Sequence, residues 1–154
     1  MWERLRRFRA LERPAQGLFL RALLLLPLVS LSLRWRGFRG TQATLERFLS
    51  NGSAGQDSAE VSKRAALTAH MVAVADRRGL VHPSCLAKSL TLWWLLGRQG
   101  IAADLRIGIR KENEKFAAHA WVERNGAALN ELEEHHRHYA AFDAAFSSMS
   151  SDEQ

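Results

Sequence analysis

The hydrophobic period of this chain changes once, near Gly100, and that change limits what it can fold into. Before it, apolar residues recur every three or four positions, as on one face of a helix. After it, Leu105, Ile107 and Ile109 alternate with Asp104, Arg106, Gly108 and Arg110, the pattern of a half-buried strand. Residues 116–123 read as a second strand and lead into Asn125-Gly126, a strong hairpin signal. Helices followed by a small antiparallel sheet make an α+β fold.

Within the helical half, punctuation marks the elements. Residues 2–13 suit a short Arg-rich helix ended by Pro14. Residues 15–33 suit a second helix with a kink at Pro27, and residues 41–49 a third. Asn51-Gly52-Ser53-Ala54-Gly55 is the best internal boundary. Asp57 or Ser58 can cap a helix that runs to Arg78, with Val61, Ala65, Leu67, Met71, Val72 and Val74 at helical spacing and Gly79 as its stop. Ser84 can cap the helix opened by Cys85, which Gly97 to Gly100 end. Residues 111–115 read as a charged loop, residues 137–146 as a weaker helix and residues 147–154 as a tail. The expected organisation is a basic, apolar helical extension over 1–50 that docks a partner, a core over 57–146, and the tail.

Charge is unevenly placed. Residues 1–50 hold ten Arg and three Glu, whereas the rest is nearly neutral, so the net +6 belongs to the N-terminal segment. Such a segment suits an acidic protein, an anionic membrane surface or nucleic acid. The last is disfavoured, since the chain has no nucleic-acid motif and Trp93 and Trp94 lie on a helix without a basic groove. The most apolar stretch, from Leu18 to Leu33, is interrupted by Arg21 and Pro27 and followed by Arg34-Trp35-Arg36-Gly37, which is no signal cleavage site. It reads as a buried or partner-facing helix, with peripheral membrane contact through Leu18 to Leu33 as the rival reading. One cysteine excludes an internal disulfide, so a reducing cytoplasm is the simplest setting.

That cysteine, Cys85, stands where a nucleophile is useful. At a helix start, unsatisfied N–H groups and the positive dipole end favour a thiolate, and the Cys N–H itself could bind a developing oxyanion. A histidine, His119, lies on the second strand, and an acid, Glu131, follows the turn. The bland readings are a small buried thiol, a satisfied core imidazole and a solvated carboxylate. The hairpin offers a geometric test. A two-residue Asn125-Gly126 turn pairs Arg124 with Ala127 and places His119 across from Leu132. A three-residue turn bulged at Gly126 pairs Glu123 with Ala127 and places His119 across from Glu131. A catalytic Glu131 therefore predicts the bulged turn. His135, His136 and His138 invite a metal reading, but no Cys or other spaced ligand completes a site; a solvated basic helix is the expectation, with no metal and no cofactor.

Residues 85–92 (Cys-Leu-Ala-Lys-Ser-Leu-Thr-Leu), 106–111 (Arg-Ile-Gly-Ile-Arg-Lys) and 116–123 (Phe-Ala-Ala-His-Ala-Trp-Val-Glu) together resemble the lasso peptide leader peptidases, the stand-alone B-type proteases of the transglutaminase-like superfamily. The resemblance spans about residues 57–132, and the Arg- and Leu-rich N-terminal helices add to it. It implies a papain-like core in which Cys85 is the nucleophile, His119 the base and Glu131 the orienting acid. The family usually has Asp at that third position; Glu is one methylene longer, and Asn130 beside it is the alternative. It implies a ribosomally made precursor peptide as substrate, a separate small leader-recognition protein, and an ATP-dependent cyclase acting next, with residues 1–50 docking one of these partners. Acyl transfer to an amine and a non-catalytic peptide-binding scaffold are the competing functions.

Overall fold

The computed structural model describes residues 13–49, 58–112, 115–130, 140–141 and 146–147. The boundary expected at residues 51–55 and all but Arg13 of the helix expected over 2–13 lie outside them.

The first helical run, α1 (Arg13–Glu46), joins two segments that the sequence pattern separated. Helical dihedrals continue through Pro27, and the break falls at Gly37 (φ 67°, ψ −175°). That backbone region is nearly closed to any residue with a Cβ, so glycine decides the site of the bend more strongly than proline does. Thr41 bridges the break: its hydroxyl donates to the Gly37 carbonyl at 2.8 Å and lies 2.9 Å from Ser32 Oγ. The inner face of α1 is Ala15, Leu18, Ala22, Leu26 and Val29, at the spacing that makes one stripe.

Helix α2 (Ala59–Arg78) begins where Ser58 accepts the Val61 N–H, with Glu60 in its first turn and Arg77 and Arg78 in its last, all matched to the helix dipole. Gly79 ends it in an extended conformation. Small buried residues, Ala65, Ala69 and Ala75 on α2 and Ala22 on α1, belong to the same core as Leu26 and Val72.

Helix α3 (Cys85–Gly97) is apolar on nearly every side, which requires a central position. Leu90, Leu92, Trp93, Leu95 and Leu96 are all buried, and the helix meets α1, α2 and the sheet. Trp94 Nε1 donates to the Leu45 carbonyl at 3.0 Å, and Arg98 donates to the Phe48 carbonyl, tying the end of α1 to that of α3.

The sheet is built on a long antiparallel hairpin, β1 (Asp104–Glu112) and β2 (Lys115–Arg124), in register from Asp104–Glu123 to Glu112–Lys115. Most of the charged segment 111–115 is thus strand. Two short strands follow, β3 (Ala127–Ala128) on β2 and β4 (Ala140–Ala141) on β1, in the order β3-β2-β1-β4, and β5 (Phe146–Ser147) also pairs β1. The helix expected over 137–146 is therefore not formed at residues 140–141 and 146. The outer edge of β1 presents backbone donors and acceptors, and pairing with it outweighs a weak local helical preference. Strand alternation sends Leu105 and Val122 into the helical core, while Arg106, His119 and Trp121 share the other face.

Candidate active site

Cys85 is the first residue of α3 and is half-buried. It is placed there by two local features: buried Pro83 before it, and Ser84, whose hydroxyl accepts the Ala87 N–H at 3.2 Å while its carbonyl accepts the Lys88 N–H. One turn further, Lys88 pairs with Asp76 of α2 at 3.3 Å and fixes this end of the helix against its neighbour.

Four residues after Cys85, the fully buried Ser89 joins the helix to the sheet. Its hydroxyl donates to the Ala120 carbonyl at 2.8 Å and accepts from Asn130 Nδ2 at 3.0 Å. Asn130 Oδ1 in turn accepts the Val122 N–H at 2.8 Å. These bonds occupy the edge of β2 beyond the end of β3, where backbone groups would otherwise be orphaned. The junction is thus made by Ser89, whose role motif reading missed, and Asn130, which it offered only as an alternative to Glu131. The signal was available: a hydroxyl in the apolar run of α3 demands a partner when buried.

His119 immediately precedes Ala120 and is half-buried. Its ring stacks near Trp121, with centroids 6.2 Å apart and planes 18° from parallel. Gly108 lies opposite it on β1 and contributes no side chain to crowd the imidazole. The Ser89–Ala120 bond therefore ties the first turns of the Cys85 helix to the stretch of β2 that carries His119. Both β2 groups in this network point away from β1, so Ser89 and Asn130 bond the strand at its free edge.

The hairpin turn takes the two-residue form. Asn125 (φ 52°) and Gly126 (φ 77°) are both left-handed, and Arg124 pairs with Ala127 and Glu123 with Ala128. This primed turn matches the strand twist. The bulged register that would set Glu131 across from His119 is not formed. The ladder itself stops at Ala128: Leu129 N–H still donates to the Val122 carbonyl, but at Asn130 a side chain replaces the backbone. Glu131 lies outside the described residues, as do His135, His136 and His138. Asn130 is committed to Ser89 and Val122. Among the described residues, no group of three or more His, Cys, Asp or Glu side chains could hold a metal.

Helix-borne Cys, hairpin-borne His and a polar junction between them sit within residues 25–142, which match the sequence model of the Transglutaminase-like superfamily. The chain belongs to that superfamily. No curated protein and no solved structure matches it. The transglutaminase-like assignment fits the α+β architecture, which among the described residues is three helices and a small antiparallel sheet, and places the chain in a superfamily that generally includes cysteine-dependent enzymes.

Proposed function

We propose that this transglutaminase-like chain is a cysteine peptidase that removes the leader from a ribosomally made lasso precursor peptide. The observation that carries the reading is the junction at α3: Cys85 opens the helix, and Ser89 one turn on bonds the strand that bears His119. In this reading the Cys85 sulfur attacks the scissile carbonyl while His119 takes the thiol proton. The tetrahedral intermediate collapses, the leaving amine takes the proton back from the imidazolium, and water then hydrolyses the thioester. In this reading the Cys85 N–H at the start of α3 binds the developing oxyanion, since the Ala87 and Lys88 N–H groups are taken by Ser84. The resemblance gives Glu131 the role of orienting the imidazole, although the two-residue turn does not continue the strand register that would set it directly across from His119.

The supporting resemblance in residues 85–92, 106–111 and 116–123 also suggests the setting: a cytoplasmic complex with a small leader-recognition protein and a lasso cyclase. The same thioester could pass to an amine instead of water, since the acceptor decides between hydrolysis and acyl transfer; the mass of the product separates them.

The test is mass spectrometry of a precursor peptide incubated with the chain and a leader-recognition protein, beside Cys85→Ala. A single cut at the leader–core junction, absent in the variant, is expected. An uncut peptide with both proteins folded would turn the assignment toward a non-catalytic scaffold.

A further inference from the structure

Helix α1 is apolar on two opposite faces, and only one is used by the fold. Opposite the buried Ala22, Leu26 and Val29 run Leu20, Leu24, Leu28, Leu31 and Trp35, all exposed, with Leu24 at 67% and Trp35 at 81%. Their spacings of four, four, three and four confine them to about 80° of arc and about 22 Å of helix. Arg21 and Arg34 flank this strip on either side, Arg13 heads it, and Arg36 and Arg39 stand exposed beyond its far end. No acid occurs in α1 before Glu46.

A second apolar projection adjoins the strip. The loop between α2 and α3 holds Leu80 fully exposed and Val81 beside it. They border an apolar cavity of about 340 Å³ shared with Leu23, Leu26 and Pro27 of α1, with Arg78 at its wall. Leu23 and Pro27 precede Leu24 and Leu28 by one residue each, so the cavity connects the strip to the loop.

We propose that this face seats the chain on an anionic lipid bilayer, with α1 lying in the plane of the interface. The reasons are independent of the catalytic reading. An apolar strip rimmed by Arg, with a Trp at its end, is what an interfacial helix needs: acyl contact at the centre and headgroup contact at the edges. The helix does not span, because its inner face shares a core with Val72, Leu90 and Leu96 and would have to leave it. A second copy is disfavoured, because Arg rims would face Arg rims. A flat anionic layer needs no matched socket for the strip, whereas a protein would need acids on both sides of an apolar groove.

The test is co-flotation of the full chain, diluted from mild detergent, with vesicles of phosphatidylcholine alone or mixed with phosphatidylglycerol. Two double variants at exposed positions accompany it, Leu24→Gln with Leu28→Gln and Arg21→Gln with Arg34→Gln, their folding checked by circular dichroism. Wild type is expected to float with the anionic vesicles, and about tenfold less with neutral ones; each double variant loses about tenfold, and added salt weakens binding. Equal flotation of the Leu variant, or no preference for anionic lipid, overturns the proposal. So does absence of flotation, including the case in which the same strip instead holds an acidic leader-recognition protein in solution and the Leu variant releases it.

Discussion

The junction of α3 with β2 and the outer face of α1 use opposite chemistry. At the junction, a buried hydroxyl, a half-buried amide and backbone groups satisfy one another, so each atom has a fixed place. On the outer face, large apolar side chains stand in solvent with no directional bond. Hydrogen bonds in a dry setting specify geometry, since a misplaced partner leaves a polar group unsatisfied. Apolar contact specifies only area. The first arrangement suits a site that must hold Cys85 and the His119 strand in register, and the second suits a surface that tolerates a partner without fixed geometry.

Substitutions can break or sharpen this contrast. The largest effect expected is Cys85→Ala, which should abolish precursor cleavage by mass spectrometry while leaving the denaturant midpoint nearly unchanged. On the two faces of α1, Leu26→Ala should cost about 2–5 kcal/mol in urea unfolding, because it opens a cavity in the core. Ser89→Ala should cost about 1–3 kcal/mol, since it leaves the Ala120 carbonyl and the Asn130 amide unpaired, and it should slow cleavage as well. Paired with Asn130→Ala in a double-mutant cycle, it should show coupling of about 0.5–3 kcal/mol; strictly additive losses would mean that the network is not a unit. Gly126→Ala should cost about 1–2 kcal/mol, because its φ of 77° is strained for any side chain. The smallest effect is expected from Leu28→Gln, within about 0.5 kcal/mol in unfolding; a large loss there would show that the outer strip supports the fold.

Much of this molecule was legible residue by residue. Ser58 and Ser84 cap the helices that their positions announced, and Gly79 stops α2. The alternation after Gly100 became β1, and Asn125-Gly126 closed the hairpin. Cys85 landed at the helix start that Ser84 implied. The sequence allows two registers at the turn, and the left-handed Asn125 and Gly126 select the shorter one. Residues 140–141 and 146–147 defied their local pattern, because a strand edge elsewhere in the chain competed for their backbone.

What the sequence determined by itself follows from short-range interactions: caps, stops, periodicity and turn type act within a few residues, so adjacent letters contain them. What the tertiary structure decided are the meetings of distant segments. Gly37 rather than Pro27 broke α1, with Thr41 bonding across the break. Ser89 and Asn130, 41 residues apart, found each other at the edge of β2. One face of α1 was covered and the other left open. Both faces are apolar in the sequence, and only packing against α2 and α3 told them apart, because burial depends on which surfaces come into contact.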